Sequence, residues 1–110
     1  METFINALKE QQALLTRQAG EKRAQNKGDE AVFCTVKANV YEICATVCSV
    51  WVKKGDIEAC GAVFARFKEE WGAALEAAKR QNNAKKTCIE EVKLEALADV
   101  AARFEAARCA

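Results

Sequence analysis

Apolar residues recur every three or four positions along most of this chain, which is the period of an amphipathic α-helix. Three stretches show the pattern most clearly. Their apolar positions are Phe4, Ile5, Leu8 and Leu15 in the first, Cys60, Phe64, Phe67, Trp71, Leu75 and Ala78 in the second, and Leu94, Leu97, Val100, Ala101 and Phe104 in the third. The spacing predicts one amphipathic helix in each stretch.

Turn-forming pairs divide the chain into four stretches of similar length. Gly28-Asp29, Gly55-Asp56 and Asn82-Asn83 follow one another at intervals of 27 residues, and the 110 residues contain no proline. Gly is frequent just after a helix end, and Asp or Asn often begins the next helix. We therefore expect an all-α fold, an antiparallel up-down-up-down four-helix bundle, as a single domain over residues 1–110. The expected helices span roughly 3–26, 29–54, 56–81 and 88–109.

The start of the fourth helix is set by two opposing features. Lys85 and Lys86 would be unfavourable at a helix N-terminus, where the helix dipole favours negative charge. Thr87 is followed three residues later by Glu90, which is the pattern of a capping box. The sequence thus predicts a helix that begins near Cys88 after a polar connection.

The predicted second helix has a wide apolar surface. Its polar side chains fall within one wedge of about 80° around the helix axis. They are Thr35, Asn39, Glu42, Thr46, Ser49 and Lys53. The remaining arc of roughly 200° is wider than the apolar stripe that a helix of a monomeric bundle needs. Its valine-rich flank holds Val32, Val36, Val40, Ile43, Val47 and Val50, and its cysteine-bearing flank holds Cys34, Tyr41, Cys44, Cys48 and Val52.

Two explanations of this wide arc remain open. The helix is either the most central element of a monomer or the site at which a second chain binds. We expect the second, with the cysteine-bearing flank as the interface and a homo-oligomer or another helical protein as the partner. The interface residues on this hypothesis are Cys34, Ala38, Tyr41, Ala45, Cys48 and Val52.

Charge excludes several classes of partner. The 17 basic and 16 acidic residues give a net charge of +1, which offers no overall attraction to nucleic acid or to an anionic membrane. The first residues do not resemble a secretion signal, so we expect a cytoplasmic protein. The most membrane-like stretch, 31–52, carries Lys37, Asn39 and Glu42 near its middle and is interpreted as a buried helix.

Six cysteines offer a second hypothesis about function. In a protein that is not exported they are usually reduced thiols that pack as small apolar side chains. Alternatively, Cys44 and Cys48 lie four residues apart on one helix face, and with Cys60 or Cys109 they would form a soft site for Cu(I) or Zn(II). A redox or disulfide role is the third possibility.

Enzymatic activity has little support in the sequence. The chain has no histidine, which excludes the Glu-x-x-His pairs of di-iron bundles and removes the usual general base. It has no glycine-rich phosphate loop either. Lys37 lies within the apolar arc of the second helix, so a lysine-dependent enzyme is the remaining alternative. No catalytic residue, cofactor or small-molecule ligand is predicted, and the function that we expect is protein interaction.

Overall fold

The computed structural model describes residues 1–109, and these residues form four helices and no strand. The helices are α1 (Glu2–Ala24), α2 (Gly28–Lys53), α3 (Ile57–Arg80) and α4 (Ala84–Cys109). The predicted all-α four-helix bundle is thus confirmed. Ala110, the last residue of the expected domain, lies outside the described residues.

All three turns between the helices share one geometry. Each contains a residue with left-handed backbone: Asn26 with φ 61°, Gly55 with φ 72° and Asn82 with φ 54°. In the first turn the Lys27 N–H donates to the Lys22 carbonyl over 2.8 Å, and the other two turns repeat this bond. This is the Schellman motif, in which the left-handed residue ends the helix. Gly28 was predicted to end α1, but Asn26 takes that role and Gly28 begins α2.

Polar side chains cap the starts of α3 and α4. Asp56 Oδ1 accepts a hydrogen bond from the Ala59 N–H over 3.1 Å, and Asn83 Oδ1 accepts one from the Lys86 N–H over 3.1 Å. The predicted start of α4 near Cys88 is therefore wrong by four residues. Asn83 caps the helix, and the Thr87 hydroxyl donates back to the Asn83 carbonyl over 2.8 Å from inside the first turn.

Glu90 does not form the predicted capping box. Its side chain is buried, with 7% exposed, and its Oε2 lies 3.3 Å from Lys93 Nζ without the alignment of a hydrogen bond. Lys93 also lies over the Trp71 ring, 4.6 Å from its centroid. The positive charge of Lys93, one turn further along α4, thus compensates the negative charge of the buried Glu90 carboxylate.

The four helices pack with a flattened cross-section. The α1–α2 and α3–α4 hairpins make the most extensive contacts, and α2 also packs against both α3 and α4. Within residues 1–109, the backbone of α1 approaches that of α4 at only a few positions and does not come close to that of α3. The molecule accordingly measures 42 × 34 × 20 Å, with α2 and α4 across the short diagonal and α1 and α3 at the outer corners.

Aromatic rings join three of the helices at one end of the core. The Phe104 ring of α4 meets Phe4 of α1 at 5.6 Å and Phe64 of α3 at 5.4 Å, both edge to face. All three side chains are at most 5% exposed. Such contacts add about 0.5–1.5 kcal/mol beyond area burial, so this cluster ties the outer helices α1 and α3 to α4.

The flattened packing leaves more surface than a compact monomer would. The radius of gyration is 14.9 Å, where about 13 Å is typical for this length. The accessible surface is 6669 Å², against about 6,000 Å² for a compact monomer of this mass. The excess, roughly 650 Å², is close to one partner's share of an ordinary protein interface, about 800 Å².

Candidate functional site

The cysteine-bearing flank of α2 lies inside the bundle. Ala38, Tyr41, Ala45 and Cys48 are all at most 6% exposed, and the other two predicted interface residues, Cys34 and Val52, are half-buried. The prediction that this flank is left uncovered is therefore wrong. The chain's own helices cover it.

Two polar contacts fix α2 in this orientation. Lys37 Nζ lies 3.1 Å from Glu95 Oε1, and one turn further on the Tyr41 hydroxyl donates to Asp99. The paired residues are four apart on both helices and rise in the same direction, so α2 and α4 run parallel here. Glu95 and Asp99 thus lie at the edge of α4 that faces α2.

The opposite face of α2 exposes a row of apolar side chains. Val32 is 40% exposed, and Ile43 and Val50 are each 43% exposed. Val36 and Val47 lie in the same row and are half-buried. We call these five residues the β-branched row. It lies on the valine-rich flank of α2 and not on the cysteine-bearing flank, where the sequence predicts the interface.

The residue types in this row are unfavourable for an isolated exposed helix. Valine and isoleucine have lower helix propensity than alanine because the preceding turn restricts their side-chain rotamers. At exposed positions each costs up to about 0.7 kcal/mol relative to alanine. Within this chain the three most exposed members gain little packing in return, so the row is better suited to an interface than to water.

The polar border of the row is continuous along the helix. Asn39, Glu42, Thr46 and Lys53 are all exposed and lie on one side of it. At the N-terminal end, Asp29 and Glu30 are acidic, whereas Lys53 is basic at the C-terminal end. The face thus combines an apolar line with a polar edge and opposite charges at its two ends.

Three of the predicted metal ligands are sealed in the core. Cys44, Cys48 and Cys60 are each 0% exposed, and the Cys60 thiol contacts the Cys48 carbonyl with 3.9 Å between sulfur and oxygen. Cys109, the fourth candidate, is exposed near the end of α4. Among the described residues, no group of three or more Cys, Asp or Glu side chains is arranged to hold a metal ion.

Burial also keeps these core thiols protonated. It raises the pKa of Cys44 to about 12, and burial together with the neighbouring Cys60 thiol raises the pKa of Cys48 to about 12. Burial likewise raises the pKa of Cys60. Because the thiolate is both the nucleophile and the metal ligand, the core cysteines have little reactivity at neutral pH.

Lys37 is not enclosed by a cavity. Its ammonium pairs with Glu95, and its side chain is 32% exposed. A groove of about 520 Å³ lies between α3 and α4 and is mostly apolar, with Lys68 and Glu105 at its edges. A second groove of about 370 Å³ lies between the starts of α2 and α4. Lys37 lines neither of these two grooves.

By length and composition alone, α2 could also cross a membrane. Its mean hydropathy over the best window is 1.3, and 39% of that window is buried within the chain. The central helix of a bundle has the same properties, and here α2 packs against all three other helices.

No family model, no curated protein and no solved structure matches this chain. Inferences about function therefore rest on the geometry of its own residues. The β-branched row is the feature that sequence reasoning misplaced. The seven-residue interval of Val36, Ile43 and Val50, typical of a helix that packs along another helix, was the available indication.

Proposed function

We propose that this chain is a helical protein-interaction module that binds another helix along the β-branched row of α2. The observation that carries the proposal is the exposure of Val32, Ile43 and Val50 on the face of α2 opposite the core. A helix of a partner would cover this line as the chain's own helices cover the other side.

The expected affinity is modest. Complete burial of a Val or Ile side chain contributes about 1.5–3 kcal/mol, so covering the remaining 40% or so contributes on the order of 1 kcal/mol each. Three such residues, the two half-buried valines and a polar rim must offset the entropy lost on association. We expect dissociation constants in the micromolar range, on the order of 1–100 µM.

The two alternative functions have weaker support. A soft-metal site would require three buried thiols to lose their protons in an apolar core, which the raised pKa values of Cys44 and Cys48 oppose. A lysine-dependent enzyme would require an enclosing pocket around Lys37, whose ammonium instead pairs with a surface carboxylate. A cytoplasmic location, as expected from the sequence, stays a prediction.

Site-specific photo-crosslinking tests the proposal. Benzoylphenylalanine at Ile43 should give a discrete covalent adduct in cells, and the same probe at Ala62, an exposed position of α3, should give none. Val50→Lys should abolish the Ile43 adduct, whereas Ala62→Lys should leave it unchanged. Circular dichroism should show that both lysine variants stay folded, since both positions are exposed.

Two results would contradict the proposal. One is the absence of any adduct from Ile43. The other is an adduct that survives Val50→Lys, because binding would then not depend on the β-branched row.

A further inference from the structure

We propose that the helix bound by the β-branched row is α2 of a second copy, in antiparallel orientation, so that Asp29 of each copy pairs with Lys53 of the other. This inference rests on the proposed function and adds the identity, direction and register of the partner.

Two lines of residues along α2 repeat every seven positions. The first line is Asp29, Val36, Ile43 and Val50. The second line is Val32, Asn39, Thr46 and Lys53. Together they alternate in steps of four and three, which is the spacing of the two seam positions of a coiled coil. Seven of these eight residues are exposed, and the eighth, Val36, is half-buried.

Antiparallel pairing about the middle of the helix matches one line with the other. Val32 then lies opposite the partner's Val50, and Ile43 lies opposite the partner's Asn39. The same register places Asp29 opposite the partner's Lys53. A two-fold axis near Tyr41 repeats every contact twice, so the interface closes on itself as a dimer.

The charges at the two ends of α2 favour this direction. In a parallel pair each line would face itself, which would place Asp29 beside the partner's Asp29 and Lys53 beside the partner's Lys53. Like charges opposed across an interface are unfavourable, and opposite charges select orientation. The antiparallel pair converts two repulsive contacts into two attractive ones.

Both end charges are available for such pairing. Within residues 1–109, Asp29 and Lys53 form no ion pair, and both are exposed. Their neighbours are already engaged: Glu30 lies 3.4 Å from Lys22, and Lys54 lies over the Trp51 ring at 4.8 Å. The seam therefore ends in two charged groups that the monomer leaves without a counter-ion.

Charge reversal tests the direction of pairing. The dissociation constant of purified wild-type protein should be measured by sedimentation equilibrium at low ionic strength. Asp29→Lys and Lys53→Asp alone should each weaken the dimer roughly tenfold or more. The double variant Asp29→Lys with Lys53→Asp restores opposite charges across the interface and should recover most of that loss. The double variant still has a lysine at the N-terminus of α2 and an aspartate at its C-terminus, and both are unfavourable for the helix dipole. Its recovery therefore cannot come from a more stable monomer.

A distance measurement provides an independent readout. Spin labels at Lys54→Cys, with Cys34, Cys88 and Cys109 replaced by alanine, should lie about 40 Å apart in an antiparallel dimer, given a rise of about 1.5 Å per residue. A parallel dimer would place them within about 20 Å, since packed helix axes lie about 8–10 Å apart. A short distance, or no recovery in the double variant, would overturn the antiparallel register.

The outcomes separate this inference from the proposed function. A wild-type protein that stays monomeric at about 100 µM, well above the expected range of dissociation constants, would overturn the second copy as partner. An Ile43 crosslink to another polypeptide would then still uphold the interaction surface. A dimer that Val50→Lys does not weaken would overturn α2 of a second copy as the helix bound by the row, and the Ile43 crosslink would again decide the proposed function.

Discussion

The Tyr41 hydroxyl of α2 donates a hydrogen bond to Asp99 Oδ2 of α4, with 2.5 Å between the two oxygens. Arg103 reaches the same carboxylate oxygen from one turn further along α4, at 2.9 Å. Asp99 thus accepts hydrogen bonds from Arg103 of its own helix and from Tyr41 of the facing helix with the same oxygen. This contact orients α2 so that its cysteines face inward and its β-branched row faces outward.

Removing the hydroxyl should destabilise the bundle. Tyr41→Phe leaves the ring in place but deprives a charged acceptor of one donor, and hydrogen bonds to charged groups contribute about 1.5–3 kcal/mol. We expect a loss of about 1–2 kcal/mol in the free energy of unfolding, measured by urea titration, because Arg103 remains paired with Asp99. In an Asp99→Ala background the same substitution should cost much less. Equal losses in both backgrounds would show that the hydrogen bond contributes nothing.

The sequence predicted the number of helices and the position of the turns because these depend on local residues. Asp56 and the left-handed Gly55 occur where expected, since their roles are set within a few residues of chain. The start of α4 was misplaced because Asn83 and Thr87 are both capable caps. Only the backbone path after Asn82 decides between them.

The orientation of α2 could not be predicted from the sequence. Both of its flanks are apolar, so periodicity alone does not tell which one faces the core. The decision rests on residues of another helix, Glu95 and Asp99, which supply carboxylates for Lys37 and Tyr41. Such pairings between residues 58 positions apart are set by tertiary packing.

The buried thiols should make the protein sensitive to alkali. The pKa of Cys44 and Cys48 rises from an ordinary value of 9.0 to about 12 in the folded chain because burial disfavours the thiolate. The folded state therefore retains protons that the unfolded state loses. Their contribution to stability is complete below pH 9 and declines as pH rises from 9 towards 12.

Urea titrations at pH 8 and pH 10 would measure this effect. We expect a loss on the order of 1 kcal/mol for each of the two thiols by pH 10. Cys44→Ala should reduce the dependence on pH, whereas Cys88→Ala, at an exposed thiol, should not. A free energy of unfolding that changes equally with pH in both variants would contradict the assignment.

Thiol labelling should distinguish the exposed cysteines from the core cysteines. In native protein, Ellman's reagent should react readily with the exposed Cys88 and Cys109, and Cys44, Cys48 and Cys60 should react only as the chain opens. We expect the three core thiols to react at least about a hundredfold more slowly than the exposed thiols. Addition of Cu(I) to reduced protein should leave the native fold and the reaction rates of the three core thiols unchanged. Stoichiometric protection of Cys44 and Cys48 by Cu(I) would instead favour the soft-metal hypothesis.

Two glycines of α3 should respond oppositely to the same substitution. A Cβ added at Gly72 would meet nothing within 4 Å, so Gly72→Ala should stabilise the protein by about 0.5–1 kcal/mol through helix propensity. A Cβ at Gly61 would lie 3.3 Å from Cε2 of Phe104. Phe4 and Phe64 hold that ring edge to face, so it has little room to shift, and Gly61→Ala should be neutral or destabilising. Urea titration gives the free energy of unfolding of each variant. An equal gain in both would show that the Phe104 ring moves readily to make room for the added Cβ.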